Sequence, residues 1–264
     1  INLFEYRCNM AKIIAIANQK GGVGKTTSAI NIAASLTTAE REVLLIDLDP
    51  QANTTTGFGI KVSKVQPTIY EVLLGMANIE DTIIKYPQLD NLDILPSHIR
   101  LVGAQVELTR QEKGQFILKQ KLEYIKNQYE YIIIDCPPSL GFLTINGLVA
   151  ADTVIIPIQC EYYSLEGLGQ LLMTLRRVQK GLNPRLRIEG VLLTMFDPRP
   201  KLSRQIVEQA RNYFGNKVFK TIIYRNVRLA EAPSYGKPVL LYDISCRGAQ
   251  NYLSLAQEII DGEN

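Results

Sequence analysis

Histidine occurs once in the 264 residues, at His98, and tryptophan not at all. One imidazole cannot build a multi-histidine zinc site, and a lone histidine is ordinarily a surface or capping residue, so a Ser-His-Asp relay is not expected either. The four cysteines (Cys8, Cys136, Cys160, Cys246) have no C-x-x-C or other metal-type spacing. They read as reduced thiols of a cytosolic protein. No run of 18 apolar residues and no signal-peptide pattern occurs, which predicts a soluble chain. There is no internal repeat and no low-complexity linker. The segment "INLFEYRCN" (1–9) has no periodicity and precedes a natural start at Met10. It reads as an upstream extension, with residues 10–264 as one domain.

What is abundant is aliphatic. Strand-length runs rich in Ile, Val and Leu recur at 12–18, 42–49, 92–96, 131–137, 152–159, 187–196 and 218–224. Most are continuous rather than alternating, as expected of strands buried on both faces of a parallel sheet. Helix-period segments lie between them at 25–39, 68–75, 98–111, 113–127, 141–150, 164–180, 201–214 and 245–260. This alternation predicts an α/β fold, a mostly parallel central sheet with helices on both faces. Ligands of such sheets bind at the carboxyl ends of the strands, which directs attention to the residues after each run.

After the first strand comes "NQKGGVGKTT" (18–27). It resembles the phosphate-binding template Gly-x4-Gly-Lys-[Ser/Thr], but Gln19 replaces the first glycine and a second cation, Lys20, opens the glycine run. Strand, glycine loop and helix N-terminus in that order form an anion site. Backbone N–H groups of Gly21, Gly22, Val23, Gly24, Lys25 and Thr26 converge on phosphate oxygens, aided by the helix dipole. Lys25 would reach the β- and γ-phosphates and the Thr26 hydroxyl would ligate Mg2+. Two further strands end in acids, Asp47 with Asp49, and Asp135. Carboxylates at i and i+2 of a strand share a face, and an acid at a buried strand tip is the usual holder of Mg2+ through water.

Charge is unevenly spread. Residues 1–175 carry 14 Lys+Arg against 18 Asp+Glu, residues 176–247 carry 15 against 5, and residues 248–264 carry none against 3. The net values are −4, +10 and −3. A basic block of this kind is the footprint of a polyanion surface with sequence-independent, salt-sensitive contacts. Arg225, Lys201, Arg204 and Arg211 are candidates from charge alone. No aromatic-rich platform accompanies them, which favours duplex over single-stranded nucleic acid.

Six segments together, "KGGVGKTT" (20–27), "LLIDLDPQAN" (44–53), "YIIIDCPPSLG" (131–141), "IPIQCEYYSLEGL" (156–168), "GVLLTMFDPR" (190–199) and "RNVRLAEAPSYGKPV" (225–239), resemble the ParA/Soj family of chromosome- and plasmid-partitioning ATPases. That family belongs to the deviant-Walker-A group, with MinD and the nitrogenase iron protein. The resemblance implies a P-loop NTPase fold, Mg-ATP as ligand, an ATP-sandwiched homodimer, slow hydrolysis and nonspecific double-stranded DNA binding. It also implies stimulation by a ParB/Spo0J-type centromere-binding partner, a cytoplasmic, nucleoid-associated location and no membrane anchor. Residue by residue, it implies that Lys20 acts in trans on the partner's phosphates and that Gly21 lies at the dimer contact. Asp49 would position the attacking water and Asp47 would support the Mg2+ shell with Asp135 and Thr26. Thr27 completes the loop, Asn226 lies near the base, and Arg199 and Arg228 match DNA-binding positions. Residues 47–57 and 135–141 would be the switch segments.

One departure stands out. The family commonly reads Ile-Pro-Arg-Asn before its late arginine motif, whereas this chain reads "IYRN" (223–226), with Tyr224 in the proline position. ATP is favoured over GTP, since no Asn-Lys-x-Asp motif is present. The alternative is a MinD-like ATPase that positions cell-division machinery, but the final segment "NYLSLAQEIIDGEN" has no Lys or Arg to hold a membrane. A reductase like the iron protein would need cluster cysteines, and neither Cys136 nor Cys160 matches that placement. With nine residues before Met10, the short chromosomal type is the closer match.

Overall fold

The computed structural model describes residues 10–161 and 168–262. Among these, strands β1 (Lys12–Ile16), β2 (Val43–Asp47), β3 (Ile84–Lys85), β4 (Leu92–Leu95), β5 (Tyr131–Asp135), β6 (Thr153–Gln159) and β7 (Arg187–Thr194) form one sheet in the order β3-β4-β2-β5-β1-β6-β7. Every pairing is parallel except that of β3 with β4.

The continuous apolar runs have a simple origin. In the central strands successive side chains feed two separate cores. Ala15, Leu44, Ile46, Ile132 and Ile134 enter one, and Ile14, Ile16, Val43, Leu45 and Ile133 the other. With both faces covered, a polar residue on either face would be stranded, so alternation vanishes. Each fully buried aliphatic side chain contributes roughly 1.5–3 kcal/mol of transfer free energy, which makes these strands the firmest part of the fold.

The first core is covered by α3 (Ile69–Leu73), α4 (Leu101–Thr109), α5 (Ile117–Leu122), α6 (Phe142–Ala150), α7 (Leu168–Gly181) and α8 (Lys201–Phe214). The second is covered by α1 (Lys25–Thr37), α9 (Val227–Glu231), α10 (Val239–Tyr242) and α11 (Arg247–Asp261). Helix α2 (Asn53–Gly57) follows the tip of β2. α1 is buried along almost its whole length by small and aliphatic residues, and α11 lays Ala249, Tyr252, Leu255, Ala256 and Ile259 into the same core. The Ser28 hydroxyl and the Tyr252 hydroxyl lie 3.0 Å apart between them, a satisfied polar pair in an apolar layer.

Two expectations are corrected. Residues 218–224 do not form a strand. The segment follows the β7 edge through single bridges at Val218 and Tyr224, but between them the Lys220 and Thr221 N–H groups donate to the Glu258 carboxylate of α11, at 2.7 and 3.0 Å. The donors a ladder needs are thereby used elsewhere. The helix expected over 113–127 is broken into α5 flanked by single 3-10 turns at Gly114–Phe116 and Lys126–Gln128. Gly114 approaches the Leu108 carbonyl so closely that an added Cβ would sit 2.0 Å from its oxygen, which fixes a tight corner there. The edge strand β3 and the one-turn helices α2, α9 and α10 are too short for periodicity to reveal. Residues 1–9, including Cys8, and the start of the helix expected at 164–180 lie outside the described residues.

A backbone contact ties the end of α2 to the late arginine segment. Gly236, at φ +66°, packs so that an added Cβ would stand 2.7 Å from Gly59 Cα. Tyr86 closes the same corner, its hydroxyl donating to the Gly236 carbonyl at 3.1 Å and its ring edge-on to Phe58. The segment after β2 and the segment bearing Arg225 and Arg228 therefore meet with no side chain between them.

Candidate active site

The strand register places the chemistry. Parallel pairing of β2 with β5 sets Asp47 beside Asp135, and pairing of β1 with β5 sets Ile16 beside Asp135, immediately before the glycine loop. The loop is shaped by two left-handed glycines, Gly22 (φ +73°) and Gly24 (φ +87°), which a Cβ would strain. Asn18 anchors its start: its amide donates to the Pro157 carbonyl at 2.7 Å and its carbonyl oxygen accepts the Lys20 N–H at 3.0 Å. The buried Val23 is held by its carbonyl, which accepts the Thr194 hydroxyl of β7 at 2.8 Å.

Lys25 is only 7% exposed and arches back over the loop, its Nζ donating to the Lys20 carbonyl at 3.0 Å. Burial lowers its pKa, offset in part by Asp135, Cys136 and Asp49. Its ammonium is thus desolvated, with the Asp135 and Asp49 carboxylates favouring its charge. Beside it a cavity of about 280 Å3 is bounded by Gly21, Gly22, Lys25, Thr26, Asp49 and Asn53. Lys20 is half-buried and does not line this cavity.

Asp47 is fully buried and both its oxygens are committed. Oδ2 accepts the N–H and hydroxyl of Thr55 at 2.8 and 2.7 Å, and Oδ1 accepts the Asp49 N–H at 3.2 Å. Asp47 thus holds the segment 49–55 in place. Burial, reinforced by the charge of Asp135, raises its pKa, against which the Thr55 and Asp49 bonds act. Asp135 is also raised, first by burial, while Thr54, Thr26 and Lys25 favour its charge. Its Oδ2 accepts the Thr54 hydroxyl at 2.8 Å, whereas buried Oδ1 has no hydrogen-bond partner.

That orphaned oxygen is the test of a metal site. An unpartnered buried carboxylate oxygen costs on the order of 1–3 kcal/mol or more unless a cation or its water meets it. Among the described residues no group of three His, Cys, Asp or Glu side chains could enclose an ion. A cation held here would draw its remaining oxygens from water and phosphate, the habit of Mg2+ rather than of zinc. The residues present fit Mg2+.

Asp49 is 7% exposed at the cavity wall. Oδ1 accepts the Gln51 N–H at 2.9 Å, while Ser97, at the end of β4, donates its hydroxyl to the Asp49 carbonyl at 2.7 Å. Oδ2 carries no hydrogen bond among the described residues. Thr54, Thr55, Ser97 and Asn18 are site residues that sequence reasoning misses. The "NTTT" run after Asp49 is the one available signal for the first two.

A second cavity of about 240 Å3 continues from Gly24 and Thr27 past Met195, Ile223, Tyr224 and Asn226. Met195 holds a left-handed backbone (φ 52°) and lines both cavities. Asn226 caps α9, its Oδ1 accepting the Arg228 N–H at 2.8 Å, so its amide N–H2 remains for the cavity.

The arginines expected at a polyanion surface are exposed and paired. Arg199, with its side chain 86% exposed, forks onto Asp197 and holds that carboxyl down to about 2. Arg225 reaches Glu161 at 3.1 Å, and its charge also helps to hold the Asp197 carboxyl down. Arg228 pairs with Glu231 at 2.8 Å and Asp243 at 3.4 Å. Such exposed pairs are worth about 0–1 kcal/mol and yield readily to a competing phosphate. Lys201, Arg204 and Arg211 lie exposed along α8. Cys136 and Cys160 are buried unpaired thiols whose pKa values burial raises, which is the packing role expected of them.

Comparison with known proteins agrees with this geometry. A family model described as an AAA domain matches residues 11–188. The sporulation initiation inhibitor protein Soj of Bacillus subtilis (strain 168) is 56% identical over 250 residues, covering 95% of this chain and 98% of that protein. The chromosome partitioning protein ParA of Myxococcus xanthus (strain DK1622) is 53% identical over 251 residues, covering 95% and 88%. Among solved structures, cobyrinic acid a,c-diamide synthase from Mycobacterium smegmatis with bound ATP analog and magnesium superposes with a TM-score of 0.84 at 35% identity, covering 95% of this chain and 94% of that one. With the glycine loop, the paired strand-tip acids and these relatives in hand, the chain belongs to the ParA/Soj family of partitioning ATPases.

Proposed function

We propose that the chain is a DNA-partitioning ATPase that binds Mg-ATP, dimerises around it, binds duplex DNA without sequence specificity in that state and is reset by hydrolysis. The observation that carries this reading is the convergence of the loop, Lys25 and Asp49 on one cavity, with the unpartnered Asp135 oxygen buried at the tip of β5. The ATP analog and magnesium bound to the Mycobacterium smegmatis relative support the ligand.

The loop N–H groups and Lys25 hold the triphosphate. Thr26 and Asp135 would hold Mg2+, which would supply charge neutralisation at the phosphates. Asp49 orients a water whose oxygen attacks the γ-phosphorus as the bond to the β–γ bridging oxygen breaks, giving ADP and phosphate. Asn226 lines the cavity for the base. Lys20 does not line the phosphate cavity of its own chain; in the proposed dimer it serves the nucleotide of the second copy, with Gly21 at the contact, stabilising transferring charge as an arginine finger does. Asp47, by holding Thr55, connects the state of the site to residues 49–57.

The exposed arginines, Arg199 with Arg225 and then Arg228, supply backbone-directed DNA contacts, and a ParB-type partner is the expected stimulator at a nucleoid location. No helix among the described residues is long and apolar enough to cross a membrane. Nor does α11 favour the MinD-like alternative, since its apolar face is spent on α1.

Asp49→Ala is expected to keep ATP affinity while lowering turnover by about 100-fold, the lower end of a lost general-base contribution. Single-turnover hydrolysis beside equilibrium binding checks it, and wild-type turnover would move the role to another group. Lys20→Ala should bind ATP as a monomer. Sedimentation velocity with ATP that still shows a dimer, together with normal hydrolysis, would remove the trans role. The double variant Arg199→Ala, Arg228→Ala should retain basal ATPase and lose DNA co-sedimentation, with the slope of log affinity against log salt reduced by about 1 for each phosphate no longer neutralised. An unaltered slope would clear both arginines.

A further inference from the structure

Asp49 sits in a turn that is pinned from outside at one place. Within the turn the Asp49 N–H donates to Asp47 Oδ1 at 3.2 Å, the Asp49 carbonyl accepts the Ala52 N–H at 2.9 Å, and Oδ1 accepts the Gln51 N–H at 2.9 Å. Ala52 has a left-handed backbone (φ 53°), a conformation that costs a non-glycine residue energy and persists only where neighbours hold it. These bonds fix the shape of the turn and, through Gln51, the direction of the carboxylate. All of them come from residues 47–52. Among the described residues a single hydrogen bond reaches Asp49 from elsewhere, donated by the Ser97 hydroxyl to the Asp49 carbonyl at 2.7 Å.

Ser97 is fully buried just beyond β4 and meets the segment a second time. Its N–H donates to Thr55 Oγ1 at 2.9 Å, while the Thr55 hydroxyl donates onward to Asp47 Oδ2 at 2.7 Å. One residue thus holds both Asp49 and Thr55. β4 is itself locked to β2, with Leu95 opposite Ile46, so Ser97 refers the turn to the rigid sheet. It lines neither cavity, which leaves it no direct contact with a ligand there. A group that must aim a water at phosphorus is sensitive to such support, because a misplacement of about 1 Å can cost on the order of 100-fold in rate.

We propose that Ser97 is a positioning residue for hydrolysis: its hydroxyl sets where the Asp49 carboxylate stands at the cavity wall, and it acts on the rate of the chemical step without contributing to nucleotide affinity. The inference rests on the reading of Asp49 as the acid that orients the attacking water, and adds the group that places it. Ser97→Ala isolates the hydroxyl. It keeps the N–H that serves Thr55, and the Asp49 carbonyl keeps the Ala52 N–H, so no buried group is left without a partner and the variant is expected to fold.

Single-turnover hydrolysis and equilibrium Mg-ATP binding of the full chain, measured for wild type, Ser97→Ala, Asp49→Ala and the double variant, test the role. Ser97→Ala is expected to slow turnover by about tenfold, the scale of one buried hydrogen bond, with ATP affinity within about twofold of wild type. On the Asp49→Ala background the same substitution should change turnover by less than about twofold, because no carboxylate remains to be placed. A merely structural serine would slow both backgrounds alike. Should Ser97→Ala not fold, Ser97→Cys, whose thiol is a weak donor, carries the same comparison. Wild-type turnover in the Ser97 variant, an equal loss on both backgrounds, or a loss of ATP affinity that matches the loss of rate would overturn the positioning role. If Asp49→Ala is slow while the Ser97 variant is not, only this role falls; if Asp49→Ala itself hydrolyses at the wild-type rate, the reading of Asp49 falls and Ser97 with it.

Discussion

Two carboxylates side by side in a dry place dominate this molecule. The β2–β5 register sets Asp47 against Asp135 with neither exposed. Like charges in a low-dielectric interior raise each other's cost of ionisation, so the pair persists only because neighbours compensate it. Thr54 serves Asp135 and Thr55 serves Asp47, and both come from the single turn that begins α2. The acids thus dictate where the chain after β2 must go. One oxygen stays without a partner, and Lys25 stands near it across the loop. The same pair that shapes the polypeptide leaves one acceptor without a hydrogen-bond partner.

From that constraint a route to the surface can be followed in contacts. Asp47 holds Thr55, α2 ends at Gly57, and Gly59 rests directly on Gly236. The 225–239 segment that holds Gly236 carries Arg225 and Arg228, and Tyr224 ties it to α11. α11 returns to the phosphate helix through Tyr252 and Ser28. The loop of contacts closes on α1, so the phosphate helix and the arginine segment are joined by packing from both ends.

How far this is legible in the sequence depends on range. The central strands can be read because burial on both faces forces uninterrupted aliphatic runs, as in "YIIID". The glycine loop, Lys25 and the strand-tip acids can be read because their chemistry is local to a strand end. What cannot be read depends on distant partners. Residues 218–224 are as apolar as a strand, yet Glu258, far along the chain, takes two of their N–H groups. The commitment of both Asp47 oxygens follows from where α2 lands, and the carboxylates beside Arg199, Arg225 and Arg228 are visible only in space. Charge counting finds the basic block but not its partial neutralisation.

The central proposal is that the unpartnered Asp135 oxygen, with Thr26, provides the protein's hold on Mg2+. Titration calorimetry of ATP into wild type and Asp135→Asn, each with and without magnesium, addresses it directly. Wild type should gain ATP affinity when magnesium is added, and Asp135→Asn should bind ATP equally with and without the ion. An Asp135→Asn variant that shows the same magnesium-dependent gain as wild type would contradict the account.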